Sequence, residues 1–456
     1  MLEKLKSTTS LLFKSLKVVH PFFLLLMMFT SSFNNISAQT AWPSESWTAA
    51  VNLTSVMSVS GLTELSGLYW NGTTNRLYVS HGDGRLRVLQ LNTVTNTFSQ
   101  IGNILVPAGP EGITQVNNSA NEFYTIDEDN YQIRKFTNSV NYDTVTLSKS
   151  WNILAAPSTM LNTGNTGPEG IAFVPDSFLT ASGFVSQVTG LPYTSVKGMG
   201  GLIFIAHQDQ GYIWVFDVNP SVSNNFAYVG KYKTNKTESC DLSFDRSTGL
   251  LYILHNTGVN TLETTDLTSS IVSGSRKFTT RTEYVLSNPS GNINVEGFAI
   301  ASKCSDSTHV SVWMCRDVES TESSTYKTDC IRWFNPFNAP GTCNPPAVNL
   351  TLKLYIQGYL AQSNKMNAVL YLNNKSADST ACDSITVRLY KAASPHQLAA
   401  SFKVLLKTNG TTQFTCPSSL FNQSFYIAVK PRSALETWSK NPVTLSSAAI
   451  LFDFIH

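Results

Sequence analysis

Apolar and polar positions alternate with a period of two through residues 65 to 337, and no long stretch carries a helical period. The alternation falls into five similar copies. Each copy opens on a short strand with a small or acidic step: Leu65-Ser66-Gly67-Leu68, Pro110-Glu111-Gly112-Ile113, Pro168-Glu169-Gly170-Ile171, Cys240-Asp241-Leu242 and Val295-Glu296-Gly297-Phe298. After a turn comes a strand rich in aromatic and β-branched residues: Leu77–Ser80, Phe123–Ile126, Ile203–Ala206, Leu251–Leu254 and Val310–Cys315. A third strand is legible at Leu86–Leu91, Ile133–Phe136, Ile213–Val218 and Ile331–Phe334, with polar Gly, Asn and Asp turns between them.

A unit of three clear strands and a weaker fourth has the size of a β-propeller blade. The expected fold is therefore all-β: a propeller over residues 39–337 with five blades, six being the alternative. Residues 176–200 form a Gly/Ser-rich insertion in the third copy, and Trp47–Val56 is a candidate outer strand that closes the ring on the last blade. The Pro-rich stretch ending at 346 reads as a linker, assigned to 338–346. Residues 347–456 then form a small antiparallel β-sandwich of immunoglobulin-like size. Its expected strands are Leu350–Ile356, Ala368–Leu372, Ile385–Tyr390, Ala399–Leu406, Gln413–Cys416 and Phe425–Val429.

The frame places polar residues at two recurring positions. Strand-one starts carry Glu111, Glu169, Asp241 and Glu296; strand-two ends carry His81 and Asp83, Asp127, Glu128 and Asp129, His207 and Asp209, His255, and Arg316 and Asp317. In an antiparallel meander these two positions lie at one edge of the sheet, so they are expected to ring one mouth of the central channel. Converging carboxylates suit a hard cation, calcium foremost. Glu111, Glu169, Glu296, Asp127, Asp129 and Asp241 are accordingly the candidate metal ligands. His81, Asp83, Glu128, His207, Asp209, His255, Arg316 and Asp317 are the candidate ligand-binding residues. Two other readings stay open: the same polar residues can cap turns and satisfy backbone donors, and with a metal-bound water the ring can hydrolyse an ester or lactone. HExxH, GxSxG, Walker and EF-hand patterns are absent from the sequence, so no catalytic residue is assigned and no cofactor beyond calcium is implied.

Composition sharpens this picture. The 456 residues carry 32 Lys+Arg against 30 Asp+Glu, and 14% of residues are charged, below the roughly 25% of an ordinary soluble protein. A chain 42% hydrophobic and 11% aromatic is not a disordered polyelectrolyte, and a net charge of +2 gives no footprint for nucleic acid. The total hides three unlike parts: +3 over residues 1–38, −7 over 39–345 and +6 over 346–456. Lys4, Lys6, Lys14 and Lys17, the apolar run Val18–Phe29 and Ile36-Ser37-Ala38 before Gln39 have the order of a secretory signal peptide over 1–38. That run is short of the roughly 20 residues a transmembrane helix needs. A secreted or cell-envelope location follows, with the ligand, whether a small molecule or a cell-surface group, unidentified. Export permits disulfides among the seven Cys. Cys240 stands apart as the expected free thiol, Cys382 and Cys416 can pair, and no CxxC occurs.

The phrases LSGLYWNGTTNRLYVSHGDGRLRVLQL, PEGITQVNNSANEFYTIDEDNYQIRKF, PEGIAFVPD with LIFIAHQDQGYIWVFDV, CDLSFDRSTGLLYILHN and VEGFAIA resemble the SdiA-regulated family of bacterial β-propellers. The resemblance implies a propeller whose EG-type strand starts and acidic strand-two ends face the channel, with calcium bound there and no settled enzymatic activity. More distantly, the pattern is similar to secreted phytase-like and lactonase propellers, which hold calcium at the axis. On that analogy Glu111, Glu169 and Glu296 match the acidic strand start, Asp127 and Asp129 match the strand-two end, and Ser66, Asp241 and His255 depart. The phrases LTLKLYIQGYL, ITVRLYKAASP and FYIAVKPRSALETWSKNPVTLS resemble a C-terminal module of secreted Bacteroidetes proteins. That likeness implies a cell-envelope association.

Overall fold

The computed structural model describes residues 39–455 except 58–61, 108, 257–259, 288, 290–293, 306–309, 344–346, 363, 418–419, 421–422 and 446–449. Residues 1–38, expected to be a signal peptide, lie outside the described residues. No described helix is long and apolar enough to cross a membrane.

Two short strands come first, β1 (Thr40–Ala41) and β2 (Val51–Asn52). Among the described residues, five four-stranded antiparallel units then follow in chain order; the first, second and fifth are separate sheets, and the third and fourth join at their outer strands through a parallel Lys233–Lys277 pairing into one larger sheet. The first holds β3 (Leu65–Asn71), β4 (Arg76–His81), β5 (Arg85–Asn92) and β6 (Thr97–Leu105). The second holds β7 (Gly112–Thr114), β8 (Glu122–Asp127), β9 (Gln132–Asn138) and β10 (Val145–Asn152). The third holds β11 (Pro168–Pro175), β12 (Gly201–His207), β13 (Tyr212–Val218) and β14 (Phe226–Lys233), with the helix Asp176–Ser182 opening the insertion. The fourth holds β15 (Asp241–Asp245), β16 (Leu250–His255), β17 (Thr261–Val272) and β18 (Ser275–Val285). The fifth holds β19 (Val295–Ile300), β20 (Val310–Arg316) and β21 (Ile331–Phe337), and its outer strand is β2, which pairs Val51 with Trp333. The N-terminal segment thus completes the last sheet, as the Trp47–Val56 pattern implies. The third strand of the fourth sheet escaped the hydrophobic pattern because β17 is built from Thr, Ser and Glu.

These sheets make a β-propeller. Their first strands β3, β7, β11, β15 and β19 pack against one another in cyclic order, the last against the first. Five apolar layers fill the gaps between neighbouring sheets. Tyr78 and Val88 meet Phe123 and Phe136 between the first and second. Leu68, Leu77 and Val79 meet Ala299, Trp313 and Trp333 between the first and fifth. Period-two alternation produces this arrangement, because each strand buries one face against the preceding sheet and the other against the next. Each large side chain so buried contributes about 1.5–3 kcal/mol.

Close approach at the axis comes from a repeated glycine. A Cβ on Gly67 would lie 2.4 Å from the Glu111 carbonyl oxygen, one on Gly112 2.7 Å from the Glu169 carbonyl oxygen, and one on Gly170 2.5 Å from Asp241 Cα. Backbone therefore packs on backbone at these three positions, whereas a Cβ on Gly297 would meet the Cys315 and Leu68 side chains.

Beyond the propeller come β22 (Ala347–Lys353), β23 (Leu360–Gln362), β24 (Lys365–Met366), β25 (Ala381–Lys391), β26 (Leu398–Lys407), β27 (Thr411–Pro417), β28 (Ser424–Lys430), β29 (Thr437–Trp438), β30 (Val443–Thr444) and β31 (Ile450–Asp453). They form a sheet in the order β27-β22-β31 and another in the order β26-β25-β28-β29, with β30 also on β28. Leu350 and Leu352 of the former share one apolar cluster with Ile385, Val387, Leu389 and Ile427 of the latter. The expected strand Ala368–Leu372 is instead a helical turn, Val369–Leu372. Tyr371 and Leu372 stay exposed there, so no buried face enforces extension. Cys382 and Cys416 do not pair: both are free and buried, and Cys382 Sγ lies beside Met366 Sδ. The disulfide joins Cys304 to Cys343 and ties the segment expected to be a linker back to the propeller, where Lys303 Nζ also donates to the Ala339 and Gly341 carbonyls. Cys240 is free and buried, as expected.

Gly67→Ala forces a methyl against fixed backbone, so denaturant unfolding is expected to show a loss of about 1–3 kcal/mol. Gly358→Ala meets nothing within 4 Å and is expected to change stability by less than about 0.5 kcal/mol.

Candidate functional site

The residue preceding the axial glycine is Ser66, Glu111, Glu169 or Glu296 in four of the inner strands. Strand pairing sets the register. Gly67 lies opposite Ser80, Gly112 opposite Ile126 and Gly297 opposite Cys315, in each case one residue before the strand-two end. In the fourth sheet Asp241 lies opposite Leu254, one residue before His255. Asp241 thus occupies the glycine position and Cys240 the glutamate position, which corrects the placement of Asp241 among the strand starts. The apolar step after each glycine (Leu68, Ile113, Ile171, Phe298) aligns with Leu242 and carries this register, but the acidic residue is the stronger visual cue.

Asp241 is fully enclosed and serves the backbone. Its Oδ2 accepts from Phe298 N at 2.8 Å and Leu68 N at 3.4 Å, and its Oδ1 accepts from Leu242 N at 2.8 Å. Burial pushes its carboxyl well above the usual range despite these donors. It joins the fourth, fifth and first inner strands and is not available as a metal ligand.

Three inner-strand glutamates do converge. Burial raises Glu111 to about 7; a hydrogen bond from Ser66 opposes the rise, and the charges of Glu128, Asp317 and Asp127 add to it. Glu169 is raised well above 4.5 by burial and by Glu111, Glu128 and Glu296, and it shares a hydrogen bond with Glu128. Glu296 is likewise raised by burial, Asp317 and Glu111, while Asn294 Nδ2 donates to its Oε1 at 2.8 Å. Asp317 is raised to about 6, by burial first and then Glu64; its Oδ1 is buried without a hydrogen-bond partner among the described residues. Gly167 N donates to Glu128 Oε1 at 2.8 Å and holds it beside Glu169. Five carboxylates from three sheets therefore crowd one end of the channel. A hydrogen bond between two carboxyl groups requires that one keep its proton.

The strand-two ends behave differently. Each extends the column of strand-two side chains that faces the preceding sheet, so it caps an interblade layer and turns to strand three. His81 Nε2 accepts from Arg87 Nε at 3.1 Å, and burial with the Arg87 charge lowers this imidazole to about 3. Asp127 binds Arg134 at 2.7 Å and accepts from Asn130 N and Nδ2, which makes it a turn cap. His255 bridges the Glu238 carbonyl at 2.7 Å and Glu263 Oε2 at 3.0 Å. Arg316 Nε donates to the Asp329 carbonyl and its guanidinium lies over Tyr326. Asp83 and Asp129 are exposed, Asp83 being paired loosely with Arg85 at 3.8 Å. Asp209 is half-buried, and its backbone N donates to the Thr166 carbonyl. In the third sheet the partner position holds Trp214. His207, 3% exposed, lies between the Tyr131 and Trp214 rings with neither ring nitrogen hydrogen-bonded, and burial lowers it to about 4. Of the candidate set, Glu111, Glu128, Glu169, Glu296 and Asp317 come together; Asp127, His81, His255 and Arg316 hold the scaffold.

All donors at this mouth are oxygens, the chemistry a hard cation prefers. Among the described residues, however, no three His, Cys, Asp or Glu side chains stand as a ready ligand set. Sequence reasoning placed Ser66 in the strand-start series but not its bond to Glu111, and it missed Asn294, which donates to Glu296. It also missed a separate cavity of about 270 Å³ at the far ends of the inner strands, lined by Tyr69, Trp70, Ser243, Asp245 and Arg246.

No family model matches the chain, and no curated protein matches it. Among solved structures it is similar to Saccharomyces cerevisiae Sqt1 at 9% identity and TM-score 0.29, covering 77% of this chain and 83% of that one. A chain of the mitotic checkpoint complex shows 11% identity and TM-score 0.26, with 60% and 62% covered. A chain of a nidogen/laminin complex shows 11% identity and TM-score 0.30, with 60% and 86% covered.

The raised carboxyls fix a pH dependence. Their folded pKa lies above the unfolded value, so the folded state holds the extra protons. The stability they confer is complete below about pH 4.5 and is lost as pH rises through about 7. Thermal melts without added divalent cation are expected to show stability falling across this window by about 1 kcal/mol per pH unit, and Glu169→Gln should flatten the slope.

Proposed function

We propose that this is an exported binding protein: a five-bladed propeller followed by a C-terminal β-sandwich, which takes a cation at the acidic mouth of its channel. Calcium, or the cationic group of a ligand, is the occupant. The observation that carries the reading is the crowding of Glu111, Glu128, Glu169, Glu296 and Asp317 at one mouth, where burial first, and neighbouring carboxylates with it, raise Glu111, Glu169, Glu296 and Asp317. Five four-stranded units whose inner strands close a ring support the blade count, and two sheets sharing one apolar cluster support the sandwich. The likeness to SdiA-regulated propellers and to the Bacteroidetes module agrees with this reading and rests on the sequence phrases alone.

Glu111, Glu169 and Glu296 would hold the ion, with Glu128 and Asp317 completing its charge balance. Binding requires the shared protons to leave, so affinity rises with pH. The hydrolase alternative takes a carboxylate as base with a metal-bound water; His81 and His255 add nothing to it at this mouth, since they are bonded to Arg87 and Glu263.

Calcium is expected to raise the melting temperature at pH 8 and to do so weakly at pH 5, the shift growing with concentration as linkage requires. Glu111→Gln combined with Glu169→Gln should abolish the shift while the protein still folds. An unchanged melting temperature at pH 8 with calcium in large excess refutes the calcium reading.

A further inference from the structure

The C-terminal sheet carries a built aromatic platform on its solvent face. Strand alternation points Ile385, Val387 and Leu389 into the apolar cluster and Thr386, Arg388 and Tyr390 outward. Trp438 stacks on Tyr390 with ring centroids 4.4 Å apart and planes 16° from parallel, and Tyr426 lies 6.1 Å from it. Glu436 clamps the arrangement: Oε1 accepts from Trp438 Nε1 at 3.0 Å and Oε2 pairs with Arg388 at 2.6 Å. Ala428, opposite Trp438 in register, is fully covered, while the indole remains 39% exposed. The ring is thus fixed flat before any partner arrives, which removes most of the ordering cost of binding.

Cations border the platform. Thr386 is paired with Lys403 on one side and Lys430 on the other, and both lysines are exposed. Two strand spacings separate them, about 10 Å. This part of the chain carries +6. Lys403 lies on one edge strand, where lysine also discourages strand pairing, Trp438 lies on the opposite edge strand, and Lys430 lies on the interior strand beside it.

We propose that this face binds an acidic polysaccharide. A sugar ring would lie on the Trp438 indole, with carboxylates of neighbouring uronic residues on Lys403 and Lys430. Charge complementarity selects an anionic polymer. A single fixed platform on an open sheet favours a glycan over single-stranded nucleic acid, which is held by successive aromatics along a basic groove.

Affinity electrophoresis of the full chain in gels containing polygalacturonate, alginate or neutral dextran tests this, with solution titration against single-stranded DNA. Retardation by an acidic glycan and not by dextran is expected, weakening with salt. Lys403→Ala and Lys430→Ala should each weaken binding about fivefold. Trp438→Ala should weaken it further, and Trp438→Phe, which keeps the stack, should retain most of it; melting curves check that each variant folds. The proposal is overturned by no retardation on any acidic glycan, by Trp438→Ala binding like the unaltered protein, or by DNA binding as tightly as the glycan.

Discussion

Everything in the propeller depends on how closely five inner strands can approach a common axis. Glycine at one register position lets the Glu111 carbonyl sit where a Gly67 side chain would be, and the same contact recurs at Gly112 and Gly170. Where the glycine is missing, Asp241 fills the position and uses its carboxylate to bind the backbone of two neighbouring strands. One polar side chain at the axis is tolerated because it is saturated with donors; an unbonded one would carry a desolvation penalty of about 1–3 kcal/mol.

That tight axis creates the chemistry of the mouth. When the backbones meet, the residues just before the glycines are forced together, and three of those residues are glutamates. Their mutual repulsion in a desolvated setting is relieved by keeping protons or by gathering a cation. The strand-two ends, two positions away in the same rim, escape this crowding because they turn outward to strand three. His81 with Arg87 and Asp127 with Arg134 are therefore parts of the scaffold. The ring that sequence spacing suggests is thus two rings, an inner one of titrating carboxylates and an outer one of caps.

The acidic propeller and the basic C-terminal sheets place opposite charge on different surfaces of one chain. Their recognition chemistry differs accordingly: a compact cation at a narrow mouth, and an extended anion on a flat face. In both places rigidity comes from neighbours that have no other role there. Gly167 fixes Glu128, and Glu436 fixes Trp438.

The sequence by itself determined the period-two alternation, the five copies, the outer strand near Val51 and the acidic residues at Glu111, Glu169 and Glu296. These are local or periodic signals, and strand burial enforces them directly. It did not determine the register of the fourth copy, because Cys240-Asp241-Leu242 shows its alignment only through strand pairing. Nor did it reveal β17, where the buried leucines Leu262 and Leu267 are separated by equally buried Glu263, Thr264 and Thr265, so no apolar alternation shows. The Cys304–Cys343 pairing, the separation of the histidines from the carboxylates and the stack of Trp438 on Tyr390 were decided by tertiary structure alone. Each joins residues whose distance is set by packing between sheets, and no one-dimensional spacing encodes that distance.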